Sequence, residues 1–210
     1  MKKAAFYTLG CKVNQYETEA MAELFADSGY EIKEFTEVAD VYVINTCSVT
    51  NMGDRKSRQI IRRAKKLNPN AVIAVTGCYA QTAPDEVLAI EGVNLVLGTK
   101  DRKNIVTLVE ELNTESNINH VSDIMSNHEF EELQIKQYSN RTRAFIKIQE
   151  GCNQFCSYCI IPYARGPVRS RAKDDVVREI KELAHNGFKE IILVGIHVAS
   201  YGVDLGDTTL

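Results

Sequence analysis

The sequence lacks any long apolar run. Its longest mostly apolar stretch, about Ile191–Ala199, is far shorter than the ~18 residues that a membrane span needs. The stretch after Met1 is broken by Tyr7, Thr8 and Gly10, so it is too short for the core of a signal peptide. These absences predict a cytoplasmic protein that does not engage a membrane.

The sequence also lacks an excess of positive charge. The formal net charge of the 210 residues is −3, so any nucleic-acid contact must come from a local basic patch rather than from bulk charge. The chain has four prolines and no tryptophan, yet 44% of its residues are hydrophobic. That content is enough to bury a core, and the length favours one or two domains.

Short apolar runs alternate with amphipathic segments along most of the chain. The predicted strands are Lys3–Thr8, Val41–Asn45, Ala71–Thr76, Leu95–Leu97, Ala144–Gln149 and Glu190–Gly195. The predicted helices are Asn14–Ser28, Asn51–Leu67, Pro84–Ile90, Asp101–Leu112 and Asp174–Asn186. Strands that alternate with helices indicate an α/β fold, in which a parallel sheet (Rossmann- or flavodoxin-like) is covered by helices.

The alternation breaks in a stretch rich in Asn, Ser, Glu and His, which is typical of an irregular connection. We therefore predict a first domain at residues 1–113, a linker at 114–140 and a second region at 141–210.

Six cysteines stand out because a cytoplasmic compartment keeps thiols reduced, which disfavours disulfides. Burial, catalysis and metal binding remain, and spacing decides among them. Cys152, Cys156 and Cys159 form a CxxxCxxC loop directly after a predicted strand. Three thiolates can ligate three irons of a four-iron cube and leave the fourth open, whereas electron carriers use four cysteines. A zinc loop is the alternative, although structural zinc usually takes four ligands from CxxC pairs.

Cys11, Cys47 and Cys78 each follow a predicted strand of the first domain. Because the carboxyl ends of parallel strands lie along one edge of the sheet, these three cysteines can converge there. Gly10 and Gly77 would let the backbone approach a bulky group. The alternative is that all three are buried structural cysteines.

The CxxxCxxC loop, with Tyr158 before its third cysteine, is similar to the radical S-adenosylmethionine (radical SAM) signature. The resemblance implies that the open iron binds SAM and that the backbone at Tyr158 touches its adenine. One electron then cleaves SAM to methionine and a 5′-deoxyadenosyl radical. A simple packing role for the Tyr158 side chain stays open.

The flanking residues extend the resemblance over nearly the whole chain outside the linker. The segments Thr8–Thr18, Asn45–Thr50, Thr76–Cys78, Ile161–Gly166 and Ser170–Arg171 look like those of the methylthiotransferases. The resemblance implies a second, auxiliary four-iron cluster on Cys11, Cys47 and Cys78, which carries or delivers sulfur. It also implies two SAM molecules per turnover and an electron donor such as flavodoxin or ferredoxin. Residues 141–210 would then be the N-terminal part of a partial (β/α) barrel.

Three branches of this family differ in substrate. They modify isopentenyladenosine-37 of tRNA, threonylcarbamoyladenosine-37 of tRNA, or an aspartate of a ribosomal protein. The strings Gly10–Thr18 and Ile161–Arg171 look most like the threonylcarbamoyladenosine branch. A non-catalytic metal- or RNA-binding module is the alternative from another class.

RNA binding requires local positive charge, and two segments offer it. Arg55, Arg58 and Arg62 share one face of the predicted Asn51–Leu67 helix, by their three- and four-residue spacing. Arg165 and Arg171 follow the CxxxCxxC loop. We expect these arginines to hold phosphates of a tRNA anticodon loop, with a merely solvated helix face as the alternative.

Overall fold

The computed structural model describes residues 1–48, 51–112, 117–133, 135, 143–206 and 210. Strands of the first half are β1 (Lys3–Thr8), β2 (Glu31–Lys33), β3 (Val41–Thr46), β4 (Val72–Gly77), β5 (Leu95–Leu97) and β6 (Ile118–His120). Its helices are α1 (Lys12–Asp27), α2 (Asn51–Leu67), α3 (Cys78–Thr82), α4 (Pro84–Leu88) and α5 (Ile105–Glu110), with a 3₁₀ turn at Arg102–Asn104. The second half contains β7 (Arg143–Glu150), α6 (Ile161–Arg165), β8 (Arg169–Ser170), α7 (Lys173–His185), β9 (Glu190–Gly195) and a 3₁₀ turn at Val198–Ser200.

Within the described part of the chain, the first six strands form one parallel sheet in the order β2-β1-β3-β4-β5-β6. All six residues of β3 are buried at its centre. Thr8 of β1 pairs with Asn45 of β3, and Thr46 of β3 pairs with Gly77 of β4. The carboxyl ends of these three strands are therefore level, which brings the residues after them to one edge.

Apolar clusters cover both faces of this sheet. On one face, Ile60, Ile61 and Ala64 of α2 pack against Ile44 and Val75 of the central strands. On the other face, Met21 and Phe25 of α1 and residues of α5 pack against Val43. The α/β class predicted from the sequence is confirmed.

The second sheet has the order β8-β7-β9 among the described residues, with β9 parallel and β8 antiparallel to β7. Ile146 and Ile148 of β7 face Val176 and Leu183 of α7. This arrangement, a strand followed by the cysteine loop, a helix and a parallel strand, suits the start of a (β/α) barrel.

Helix α1 is the element shared by the two sheets. Met21 and Phe25 enter the core of the first sheet. On another side of the same helix, Val13, Tyr16 and Ala20 pack against Phe145 and Val194 of the second sheet. Because α1 is covered on two sides, its polar residues Asn14 and Glu17 are also buried, and both belong to the site described below.

The region predicted as an irregular linker contains a strand and several buried side chains. Ile118–His120 forms β6, which extends the first sheet, and Ile124, Leu133 and Ile135 are buried. Residues 113–116, 134 and 136–142 lie outside the described part, as do residues 49 and 50 of the predicted cysteine-flanking segment. The three-part domain division stays a prediction.

No helix among the described residues is long and apolar enough to cross a membrane.

Candidate metal centre

The edge of the first sheet brings Cys11, Cys47 and Cys78 into one region, as the sequence predicts. Cys11 precedes α1 and is exposed, Cys47 follows β3 and is partly buried, and Cys78 begins α3 and is buried. All six cysteines of the chain are free thiols. Helix α3 also packs against α6, which belongs to the second half of the chain.

Asn14 connects two of the three cysteine-bearing segments, those of Cys11 and Cys47. Its Oδ1 lies 3.3 Å from the Cys11 sulfur, and its Nδ2 donates to Asn45 Oδ1 at 3.1 Å and to Thr46 O at 2.9 Å. Asn45 returns a bond to the Asn14 backbone at 3.0 Å. These buried amides fix the Cys11 and Cys47 segments relative to each other.

The glycine before Cys11 allows close contact within the protein. Gly10 has a φ of +112°, and a Cβ placed on it would lie 3.0 Å from Cys47 Cβ and 3.2 Å from Cys47 Sγ. Gly77 has a φ of +97°, and a Cβ there would overlap Asn45 and Thr46. Both glycines therefore let cysteine-bearing backbone pack tightly.

Arg165 of α6 links this edge to the second sheet. Its Nε donates to Cys78 Sγ at 3.2 Å. Its terminal nitrogens donate to Glu17 of α1 at 2.5 Å and 3.1 Å, to Glu150 of β7 at 2.7 Å and to Asn14 at 2.9 Å. Glu150 lies two residues before Cys152, so one guanidinium connects the two cysteine sets.

A buried ion-pair cluster surrounds Arg165. Arg102 lies 2.5 Å from Glu17 and 2.8 Å from Glu131, and Lys147 lies 3.0 Å from Glu150 and 3.4 Å from Glu17. Arg169 lies 3.8 Å from Glu150. Among the described residues the cluster holds four cations (Arg102, Lys147, Arg165, Arg169) and three carboxylates (Glu17, Glu131, Glu150). It therefore carries one excess positive charge.

These neighbours shift the pKa values of the buried groups. Burial raises the pKa of Glu17, but the charges of Arg102, Arg165 and Lys147 outweigh burial and lower it to about 2. Burial also raises the pKa of the Cys78 thiol, and the positive charge of Arg165 opposes that rise.

The CxxxCxxC loop is more open to solvent than the first cysteine set. Cys152 and Cys159 are partly buried and Cys156 is exposed. The Cys152 N–H donates to Gly166 O at 3.1 Å, and the Cys159 N–H donates to Cys156 O at 2.9 Å. Tyr158 is 91% exposed, so its side chain has no packing role among the described residues.

The donors of both sets suit an iron–sulfur cluster, since each set offers three free thiols and no disulfide uses them. No three His, Cys, Asp or Glu side chains in the described ranges converge closely enough to hold a single metal ion. A four-iron cube differs in this respect, because each of its thiolates binds a different iron. The absent side chain at Gly10 leaves the Cys47 sulfur accessible beside Cys11. Cys11, Cys47 and Cys78 could hold one cluster, and Cys152, Cys156 and Cys159 another.

The predicted RNA-contacting arginines divide into exposed and buried ones. Arg55 and Arg62 are exposed on α2, and Arg55 lines a depression together with Cys47, Gly10 and Lys56. Arg58 is partly buried and donates to the Tyr79 hydroxyl at 2.8 Å.

The RNA-contact prediction for Arg165 and Arg171 needs correction in this structure. Arg165 is 0% and Arg171 is 1% exposed. Arg165 is held by the cluster described above, and Arg171 pairs with Glu179 and with Glu132. Both guanidinium groups form ion pairs with glutamates of the same chain, so neither is available to a phosphate.

The sequence analysis missed Asn14, Glu17, Lys147 and Glu150. The available signal was in β7, where Lys147 interrupts the otherwise apolar run Ala144–Ile148 and Glu150 ends the strand. A charge inside a buried strand requires a partner, which predicts an internal ion pair.

Comparisons with known proteins agree with this two-part arrangement. Residues 3–98 match the model described as uncharacterized protein family UPF0004, and residues 146–207 match the radical SAM superfamily. A relative from Bacillus subtilis, named threonylcarbamoyladenosine tRNA methylthiotransferase MtaB, is 54% identical over 208 residues, which are 99% of this chain and 46% of the relative. Over nearly its whole length the chain is therefore similar to proteins named as tRNA methylthiotransferases, and its second half matches the radical SAM superfamily.

Two further relatives differ from each other in their names. An Aquifex aeolicus protein with the MtaB name is 44% identical over 97% of this chain and 50% of its own length. A Dictyoglomus thermophilum protein named tRNA-2-methylthio-N(6)-dimethylallyladenosine synthase is 36% identical over 100% of this chain and 48% of its own length. The chain spans about half the length of the curated relatives it matches.

We predict that Glu17→Gln destabilises the metal-free chain at pH 7 by about 3–5 kcal/mol, because it leaves buried cations without their carboxylate. Since the folded-state pKa of Glu17 is about 2 against an ordinary 4.5, its stabilisation is present above pH 4.5 and is lost as the pH falls towards 2. Urea unfolding at several pH values measures both effects.

Glu31→Gln is the control for this prediction, since Glu31 forms a surface pair with Lys33 and should change the urea midpoint little. Equal unfolding midpoints for wild type and Glu17→Gln at pH 7 would contradict the structural importance of the cluster.

Proposed function

We propose that the protein methylthiolates C2 of N6-threonylcarbamoyladenosine at position 37 of tRNA. The observation that carries this proposal is that Arg165 contacts the first cysteine set at Cys78 and also contacts Glu150, which lies two residues before Cys152 of the second set. A generic radical enzyme needs only one cysteine set, whereas insertion of sulfur calls for a second. Two relatives with the MtaB name are 54% and 44% identical to this chain, against 36%, 37% and 38% for three dimethylallyladenosine synthases, and this supports the choice of nucleoside.

In this proposal Cys152, Cys156 and Cys159 would hold a four-iron cluster that binds SAM, and the backbone at Tyr158 would contact the adenine of SAM. The cluster, when present, supplies the electron that cleaves SAM. The exposure of Cys156 leaves the loop open to SAM and to an electron donor such as flavodoxin or ferredoxin. The C2–H of adenine is neither acidic nor a leaving group, so acid–base catalysis by side chains would gain little there.

Cys11, Cys47 and Cys78 would hold an auxiliary four-iron cluster that would supply the sulfur, and a second SAM would supply the methyl group. Residues 1–113 would form the domain around this cluster, 114–140 the connection, and 141–210 part of the radical SAM barrel. Glu17, Glu150 and Arg165 keep the two cysteine sets in a fixed relation. Fixed geometry matters here because reacting groups must be held within contact distance.

Helix α2 is the proposed contact with the anticodon loop. Its exposed Arg55 and Arg62 lie on the same element, and Arg55 with Lys56 lines the depression next to Cys47. Cations beside a candidate cluster site would bring phosphate oxygens near the position at which sulfur is transferred.

We predict that anaerobic reconstitution with iron and sulfide gives about eight irons per chain, as two four-iron clusters. Cys152→Ala should remove about half of the iron and abolish SAM cleavage, because the SAM-binding cluster loses a ligand. Cys78→Ala should also remove about half of the iron but retain SAM cleavage. Iron analysis and 5′-deoxyadenosine assays distinguish these matched variants. A chain that takes up one zinc and no iron would disprove the radical mechanism.

The nucleoside specificity has its own test. Cells that lack the gene should contain threonylcarbamoyladenosine without its methylthio group, while methylthiolated isopentenyladenosine is retained. Nucleoside mass spectrometry of total tRNA measures both, and a gene copy carrying Cys78→Ala should fail to restore the modification. Loss of the isopentenyladenosine derivative instead would reassign the substrate.

The proposed role of α2 predicts weaker tRNA binding when its charge is removed. The double substitution Arg55→Ala and Arg62→Ala should lower affinity at low salt and reduce the slope of log K against log salt by about 2. Arg178→Ala is the matched control, since Arg178 is an exposed arginine on α7 and pairs with Asp175. Equal losses from both variants in a filter-binding titration would argue against a specific contact at α2.

A further inference from the structure

The guanidinium of Arg165 has an acceptor for every one of its N–H groups. Nε donates to Cys78 Sγ, one terminal nitrogen donates to Glu17 and Glu150, and the other donates to Asn14 and Glu17. A guanidinium has five N–H donors in a rigid fork, and all five are used here. Its side chain is 0% exposed, so the sulfur contact is shielded from water.

The contact with sulfur is the least expected of the five. Asn14, Glu17 and Glu150 accept from the two terminal nitrogens and use four of the five donors, which leaves Nε for another acceptor. This Nε lies 3.2 Å from the sulfur of a cysteine that follows β4, on another element of the sheet. The chain thus places a fixed N–H dipole and a positive charge directly on one of the three thiols at the sheet edge.

The charges around this contact also favour a negatively charged group at Cys78. The buried cluster contains four cations and three carboxylates within the described residues. A buried excess of positive charge is costly unless an anion lies nearby. Cys78 lies directly against Arg165, and a thiolate-ligated cluster on its sulfur would supply the missing negative charge.

We propose that Arg165 is a positioning residue of the auxiliary cluster, which orients Cys78 as a ligand and raises the reduction potential of that cluster. This inference rests on the proposed function. Hydrogen bonds to ligand sulfur and nearby charge are two of the factors that set the potential of an iron–sulfur cluster. A donor and a positive charge favour the reduced form, because it carries one more negative charge.

The test isolates the auxiliary cluster in the purified full chain. Cys152, Cys156 and Cys159 are replaced by alanine, and the chain is reconstituted anaerobically with iron and sulfide. Arg165→Lys is then introduced, which keeps the charge but removes the fork. We expect a lower midpoint in a redox titration followed by electron paramagnetic resonance, by about tenfold in the reduced-to-oxidised ratio, or ~59 mV for one electron. Iron affinity should fall about 10- to 100-fold.

Arg171→Lys in the same background is the matched control. Arg171 is an equally buried arginine that pairs with Glu132 and Glu179, and its contacts among the described residues include no cysteine. Its midpoint should equal that of the unsubstituted chain, even if its thermal stability falls. A similar shift in both variants would reduce Arg165 to a structural role and overturn the inference.

A second variant guards against a folding defect in Arg165→Lys. Arg165→Gln combined with Glu17→Gln removes one buried charge of each sign together with the sulfur contact, and it should lower the midpoint in the same direction. An unchanged midpoint and iron affinity in the Arg165 variants would overturn the inference alone. Absence of an iron–sulfur spectrum in the background chain itself would overturn the proposed function as well.

Discussion

The contact between Glu17 and Arg165 is the interaction on which the arrangement of both sheets depends. Glu17 belongs to the helix between the sheets, and Arg165 belongs to the segment that follows the CxxxCxxC loop. Buried ion pairs add little net stability, because desolvation offsets most of the attraction. Their effect is geometric, since a guanidinium that makes five hydrogen bonds to four residues holds those residues in one relative position. The joint between the two halves is polar for this reason, while apolar contacts around α1 surround it.

The arginine of this ion pair also lies against the sulfur of Cys78. An apolar joint would hold the sheets together equally well, but it would place no charge next to Cys78. The arginine therefore has a structural partner on one side and a thiol on the other. A substitution of Arg165 would therefore affect both the stability of the fold and the environment of the Cys78 sulfur. Spectroscopic measurements are needed beside stability measurements to separate the two effects.

The α/β fold and the sheet edge could be predicted because they depend on local patterns. Apolar strands such as Val41–Thr46 and the glycines before Cys11 and Cys78 are visible in the sequence. The burial of Asn14 and Glu17 could not be predicted, because their partners are distant in sequence: Asn14 bonds to Asn45 and Thr46, and Glu17 bonds to Arg165. Arg165 and Arg171 were assigned to RNA for a related reason. The sequence does not show whether an arginine will contact a phosphate or a carboxylate inside the protein. Only the tertiary structure distinguishes these two cases.

The shared helix α1 has a consequence for motion. Any rotation of one sheet against the other would expose Phe25 on one side of α1 or Tyr16 on the other, together with the charges beside them. Such opening costs apolar burial and desolvated ion pairs at once. Thermal fluctuation should therefore be easier in the exposed loop around Tyr158, which lies outside these contacts.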